Sequence, residues 1–170
     1  MSKKTIFFMK IGGLLLIINS SVTILNNLFS NFLLVPLLKL ERELGPVINI
    51  QMIITVFVIA LPALIIGLIL FILSTNKEQQ LPIIDNENRS LDFQVVSLVI
   101  FISLIPNALS IFQLIYAVSR LLVSDTIGSR IAVYSHSTGA IPFFLKLFIA
   151  IMLLVIKNKR IVYSLSTNQK

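Results

Sequence analysis

The sequence predicts an all-α integral membrane protein: four transmembrane helices, with an interfacial amphipathic helix between the first and second. Three observations lead there. Hydrophobic residues make up 56% of the 170-residue chain and charged residues 12%, and the mean hydropathy is +0.98, a balance foreign to soluble domains. The apolar runs are continuous rather than alternating, which excludes a barrel, and they reach the roughly 20 residues a helix needs to cross hydrocarbon. All seven acidic residues lie outside those runs. One membrane domain, 1–170, accounts for the whole chain.

The first span is expected over about 5–27. Lys3 and Lys4 precede it, and Lys10 can snorkel to the headgroups. Its apolar part outruns a signal-peptide core and no A-x-A-like site follows, so it reads as an uncleaved anchor. Residues 32–44 form the amphipathic segment, with Leu33, Leu37, Leu40 and Leu44 on one side and Lys39, Arg42 and Glu43 on the other. Gly45-Pro46 is expected to end it.

The second span covers about 47–73 and should deform near Val58 to Pro62, where proline removes a backbone donor. A polar linker, 74–93, leads to the third span, 94–123. A polar loop from Ser124 to Gly139 precedes the fourth, 137–156. Lysines and arginines number nine on the side of the termini and middle linker against four on the other side. That asymmetry predicts a plasma-membrane protein with both termini cytoplasmic.

Polar residues within the spans follow helical spacing. Gly12, Asn19, Thr23, Asn26 and Ser30 stack on one face of the first span. Ser103, Asn107, Ser110, Gln113, Ala117 and Arg120 do so on the third, and Gly139, Pro142, Lys146 and Ala150 on the fourth. At 1.5 Å per residue, Lys146 lies about 15 Å from the inner end of its span and Asn107 about 20 Å along its own. Asn19 lies about 12 to 20 Å along the first. The depths overlap, so a mid-membrane cluster of Lys146, Asn19 and Asn107 is expected, with Thr23 and Ser110 nearby, as a ligand- or partner-binding site. An ionisable group in hydrocarbon has a partner or a task.

Other chemistry is poorly supplied. The chain has no cysteine, which removes disulfides, thiolate nucleophiles and thiolate metal sites. The single histidine, His136, has no second ligand at metal spacing, and its neighbours Ser135 and Asp125 lack a nucleophile-elbow pattern. Asp85 to Arg89 resembles a calcium loop only loosely. No enzyme activity, metal or cofactor is expected. The net charge of +7 collects at span ends, which points to the lipid bilayer and away from nucleic acid. The expected role is non-enzymatic, through helix–helix contacts with a membrane-protein partner or another copy: an accessory, immunity-like or regulatory subunit. The alternative is a small oligomeric transporter or pore-forming unit with a water-accessible polar seam.

Overall fold

In a computed structural model the described residues, 3–79 and 86–167, are almost entirely helical, with side chains described for 4–47, 49–76 and 94–155. Helix α1 (Lys3–Phe29) passes through a π-helical segment (Ser30–Leu34) into the short α2 (Val35–Leu37). After a turn, α3 (Glu41–Ile53) passes through a second π segment (Ile54–Ala60) into α4 (Leu61–Gln79). Helices α5 (Asn86–Val123) and α6 (Ile127–Thr167) complete the chain. Four stretches, Lys4–Leu37, Glu41–Asn76, Gln94–Val123 and Ile127–Val155, are long and apolar enough to cross a membrane.

Both π segments end two residues before a proline, Pro36 and Pro62. A proline ring clashes with the carbonyl four residues back and leaves it without a donor. Those carbonyls belong to Phe32 and Val58, and both lie inside the widened i→i+5 stretches, which move the carbonyl off the ring. The deformation expected at Val58 to Pro62 therefore takes the form of a seven-residue π segment. Pro106 and Pro142, by contrast, lie within α-helix.

The structure corrects the segment expected as a separate amphipathic helix, 32–44. Its first half belongs to the end of the first rod and its last residues open α3. The break is a Schellman turn: Leu40 N–H donates to Val35 O and Lys39 N–H to Pro36 O, each at 3.0 Å. Lys39 holds the left-handed position at φ 54°, and Leu40, fully buried, packs with Val35 and Leu38. That apolar contact stops the helix where the amphipathic pattern suggested continuity. Gly45-Pro46 terminates nothing. Pro46 lies in the second turn of α3, where its missing N–H removes a single bond, to the Arg42 carbonyl.

The loop expected over Ser124–Gly139 is likewise shorter, since only 124–126 are non-helical. Thr126 and Ser129 form a reciprocal cap: the Ser129 N–H donates to Thr126 Oγ1 at 3.2 Å and the Thr126 N–H to Ser129 Oγ at 3.0 Å. This starts α6 ten residues before the expected span.

The four rods make two antiparallel hairpins. In the first, α1 packs along α4; in the second, α5 packs along α6. Gly13 and Gly67 let the first pair meet backbone to backbone: a Cβ on Gly13 would lie 2.9 Å from Gly67 O and 2.9 Å from Phe71 N. In the second, a Cβ on Gly139 would lie 2.5 Å from Ser110 Oγ. The hairpins join at both ends through apolar clusters. Ile11 meets Val96, Ile100 and Ala150 at the terminal end. Val35, Leu38 and Leu40 meet Ala117 and Val133 at the turn end.

Candidate functional site

Between the two apolar clusters, polar side chains of both hairpins line a groove of about 510 Å³. Helix α1 and its π extension supply the floor with Asn19, Thr23, Asn26, Asn27, Ser30 and Asn31. Gln51 and Thr55 stand on one wall. The other wall comes from α6, with Tyr134, Ser135, Thr138, Pro142 and Lys146, and Asn107 enters from α5. The helices carrying the two walls make no substantial contact with each other at this level, so the groove opens sideways.

Of the five expected site residues, Lys146, Asn19, Asn107 and Thr23 share this groove. Ser110 does not line it; its side chain sits against Gly139 inside the second hairpin. The α5 stripe is also narrower than its spacing implies. Gln113 and Arg120 are exposed, while Ala117 is buried in the turn-end cluster. Arg120 lies 5.9 Å over the Tyr116 ring.

Gln51 and Thr55 are the wall residues that α-helical periodicity misses. At 100° per residue, Thr55 falls about 140° away from Ala60. The π segment pairs residues five apart, so both turn toward α1: Ala60 is buried and Thr55 faces the groove. The same shift places Ser30 and Val35, also five apart, inside together. Proline at Pro36 and Pro62 is the sequence signal that could have revealed it.

The groove's polar groups are unevenly satisfied. Asn26 Nδ2 donates to Thr138 O at 3.1 Å, the described hydrogen bond that ties the two hairpins in this region. Thr23 Oγ1 donates to Asn19 O, and Asn27 Nδ2 to Thr23 O, both at 2.9 Å. Three buried polar atoms have no partner among the described residues: the amide oxygens Asn26 Oδ1 and Asn31 Oδ1 and the hydroxyl Ser30 Oγ. Ser30 is only 2% exposed. An orphaned buried polar atom costs about 1–3 kcal/mol, so three on one floor are a large local penalty for a marginally stable fold. No carboxylate lines the groove, and Lys146 has neither ion pair nor hydrogen bond among the described residues.

Catalytic and metal readings gain nothing from the geometry. Asp125 is engaged by Arg130, whose Nε and Nη2 each reach a different carboxylate oxygen at 2.6 Å, rather than by His136. No group of three metal-ligating side chains exists among the described residues. Asp85, the first residue of the loose calcium pattern, lies outside them. No family model matches the sequence, and neither a curated protein nor a solved structure matches it.

Proposed function

We propose that this chain is a non-enzymatic four-pass protein of the plasma membrane, with both termini cytoplasmic. It works through contacts made within the bilayer, as an accessory, immunity-like or regulatory subunit. One observation carries the reading: each hairpin packs within itself, while the groove between them holds a cation and buried amide oxygens that have no partner among the described residues. Groups so placed call for a partner from the membrane itself, since intramembrane charge is retained where it is matched. Among the described residues no carboxylate and no histidine lines the seam.

Gln51 and Ser135 flank the mouth of the groove and both are exposed. The chain lacks cysteine, so Gln51→Cys and Ser135→Cys are clean cross-linking sites in native membranes. A discrete protein adduct or a self-adduct from either position supports the reading; labelling of bulk protein alone rejects it.

Transport is the second reading, favoured by one feature. The polar floor runs from Asn19 to Asn31, about 18 Å along the helix, far enough to carry water through much of a leaflet. Single cysteines at Asn19, Thr23 and Asn107 that react with an impermeant thiol reagent from both faces would establish it.

A further inference from the structure

We propose that the groove holds the headgroup of a phospholipid, with the phosphate at Lys146 and headgroup hydrogen-bond donors at the acceptors of Asn26, Ser30 and Asn31. This rests on the groove being a binding site, as proposed above, and adds what fills it.

Charge comes first. A lining with one cation, several amides and no carboxylate matches an oxyanion, which a lysine binds as a point charge. The orphaned atoms specify the rest. Asn26 commits its Nδ2 to Thr138 O, so its Oδ1 can only accept. Asn31 Oδ1 is likewise an acceptor, and Ser30, nine-tenths buried and more, borders the same groove. A phosphate alone can take a hydrogen bond from the Ser30 hydroxyl but leaves the amide oxygens of Asn26 and Asn31 unsatisfied. A headgroup that adds hydroxyl or ammonium donors satisfies both ends.

Placement agrees. Side chains on a helix lean toward its N-terminus. Helix α6 begins at the turn end and α1 at the opposite end. Lys146 therefore leans toward Pro142 and Thr138, while Asn26, Ser30 and Asn31 lean back toward Lys146. The two sets face one another along one groove, which lies below the turn-end cluster.

Size and access choose a lipid for the groove itself, and leave the protein partner proposed above to bind across its mouth. A volume of about 510 Å³ lies in the small-ligand range; a transmembrane helix, about 10 Å across and several turns long, exceeds it. The helices that carry the two walls expose apolar side chains, among them Phe57, Val58, Phe144 and Phe148. Acyl chains can stay against such surfaces while the headgroup enters the groove.

The test is lipid retention by the purified, delipidated protein, read by native mass spectrometry with phosphatidylglycerol, phosphatidylethanolamine and phosphatidylcholine of identical chains. Phosphatidylcholine is the control because its quaternary ammonium has no N–H. The first two should be retained about tenfold better, the equivalent of one or two hydrogen bonds. Lys146→Met should lose all three, and Lys146→Arg should keep them, which separates binding from folding. Ser30→Ala with Asn31→Ala should abolish the preference and leave phosphatidylcholine retention unchanged. Equal retention of the three lipids by the native chain, or full retention by Lys146→Met, overturns the proposal. So does displacement of the lipid by an equal concentration of soluble glycerol phosphate, which would mark a free-anion site. Loss of the lipid preference with cross-linking at Gln51 and Ser135 intact removes this inference alone; loss of cross-linking with the preference intact removes only the partner reading.

Discussion

The interior of each hairpin and the seam between the hairpins are built on opposite rules. Within the hairpins, glycine and serine let backbones approach until a single added methyl would collide. Along the seam, amides and a lysine line a groove, and the apolar contact between the hairpins lies in clusters at the two ends. In a bilayer, helix association relies on packing and interhelical hydrogen bonds, because lipid tails are as apolar as leucine. Close approach thus packs each hairpin internally, while the seam between them leaves polar groups without partners among the described residues. The difference separates what holds the fold from what remains to be filled.

The strongest way to break the comparison is at the backbone contact. Gly13→Val or Gly67→Val should destabilise the first hairpin by about 3 kcal/mol, measured by unfolding in mixed micelles. A Cβ at Gly13 meets mainly backbone, so no second substitution should rescue that variant, whereas a Cβ at Gly67 also meets the side chains of Leu16 and Ile17. A methyl added at Gly12 would meet nothing within 4 Å, and Gly12→Val should change stability by under about 1 kcal/mol. Equal losses at Gly12 and Gly13 would show that the close approach does not hold the hairpin.

The second hairpin should yield less and be rescuable. A Cβ on Gly139 meets only the Ser110 side chain. Gly139→Ala should cost about 1–2 kcal/mol, and Ser110→Gly in the same chain should recover a large part of it. A double-mutant cycle would then show coupling of about 1 kcal/mol; strict additivity would deny the contact.

Much of this architecture is legible in the chain itself. Continuous apolar runs and the absence of acids within them announce four membrane-length helices, and seven-, four- and three-residue spacings bring Lys146, Asn19, Asn107 and Thr23 to one groove. Those readings succeed because α-helical periodicity is a property of the chain alone. Elsewhere periodicity fails for identifiable reasons. The π segments before Pro36 and Pro62 rephase the faces, which hides Thr55 and Gln51. Leu40 reads as one more residue of an amphipathic face, yet its burial against Ala117 and Val133 is tertiary. The polar run after Thr126 reads as loop, but Ser135 and Thr138 line the groove, Ser137 is buried, and a local cap starts the helix. Ser110 shows the limit most plainly. Its face follows from spacing, but whether it meets a cavity or a glycine depends on the rotation of its neighbour.

The seam offers a prediction of opposite sign. In lipid-free detergent, Lys146→Met removes an unpaired cation among amides and should raise stability by about 0.5–2 kcal/mol. Adding phosphatidylglycerol should then stabilise the native chain and leave the variant unchanged, by ligand linkage. A destabilised Lys146→Met in detergent would mean that the lysine serves packing, and the contrast between seam and hairpin would lose its sharpest support.

The two turns extend the contrast at smaller amplitude. Lys39 occupies a left-handed position that ordinarily suits glycine. Lys39→Gly relieves that strain, and after glycine's larger backbone entropy loss a net gain of about 0.5–1 kcal/mol is expected. The other turn carries its stabilisation in charge. Hydrogen bonds from Arg130 hold the Asp125 carboxyl below the ordinary carboxylate range, and the nearby charges of Arg130 and Lys39 act in the same direction. A carboxyl depressed by folding stabilises the native state above the unfolded value, near 3.9, and that contribution is lost as pH falls through the lower folded value. Acid titration should therefore leave this turn unaffected from neutrality to about pH 4, with loss confined below. Asp125→Asn should remove the acid-dependent part of the unfolding curve and change little at neutral pH, because the pair is solvent-screened. An Asp125→Asn loss at neutral pH as large as that of Gly139→Ala would show the ion pair clamping the second hairpin, and close backbone packing would no longer be the distinguishing property of the hairpin interiors.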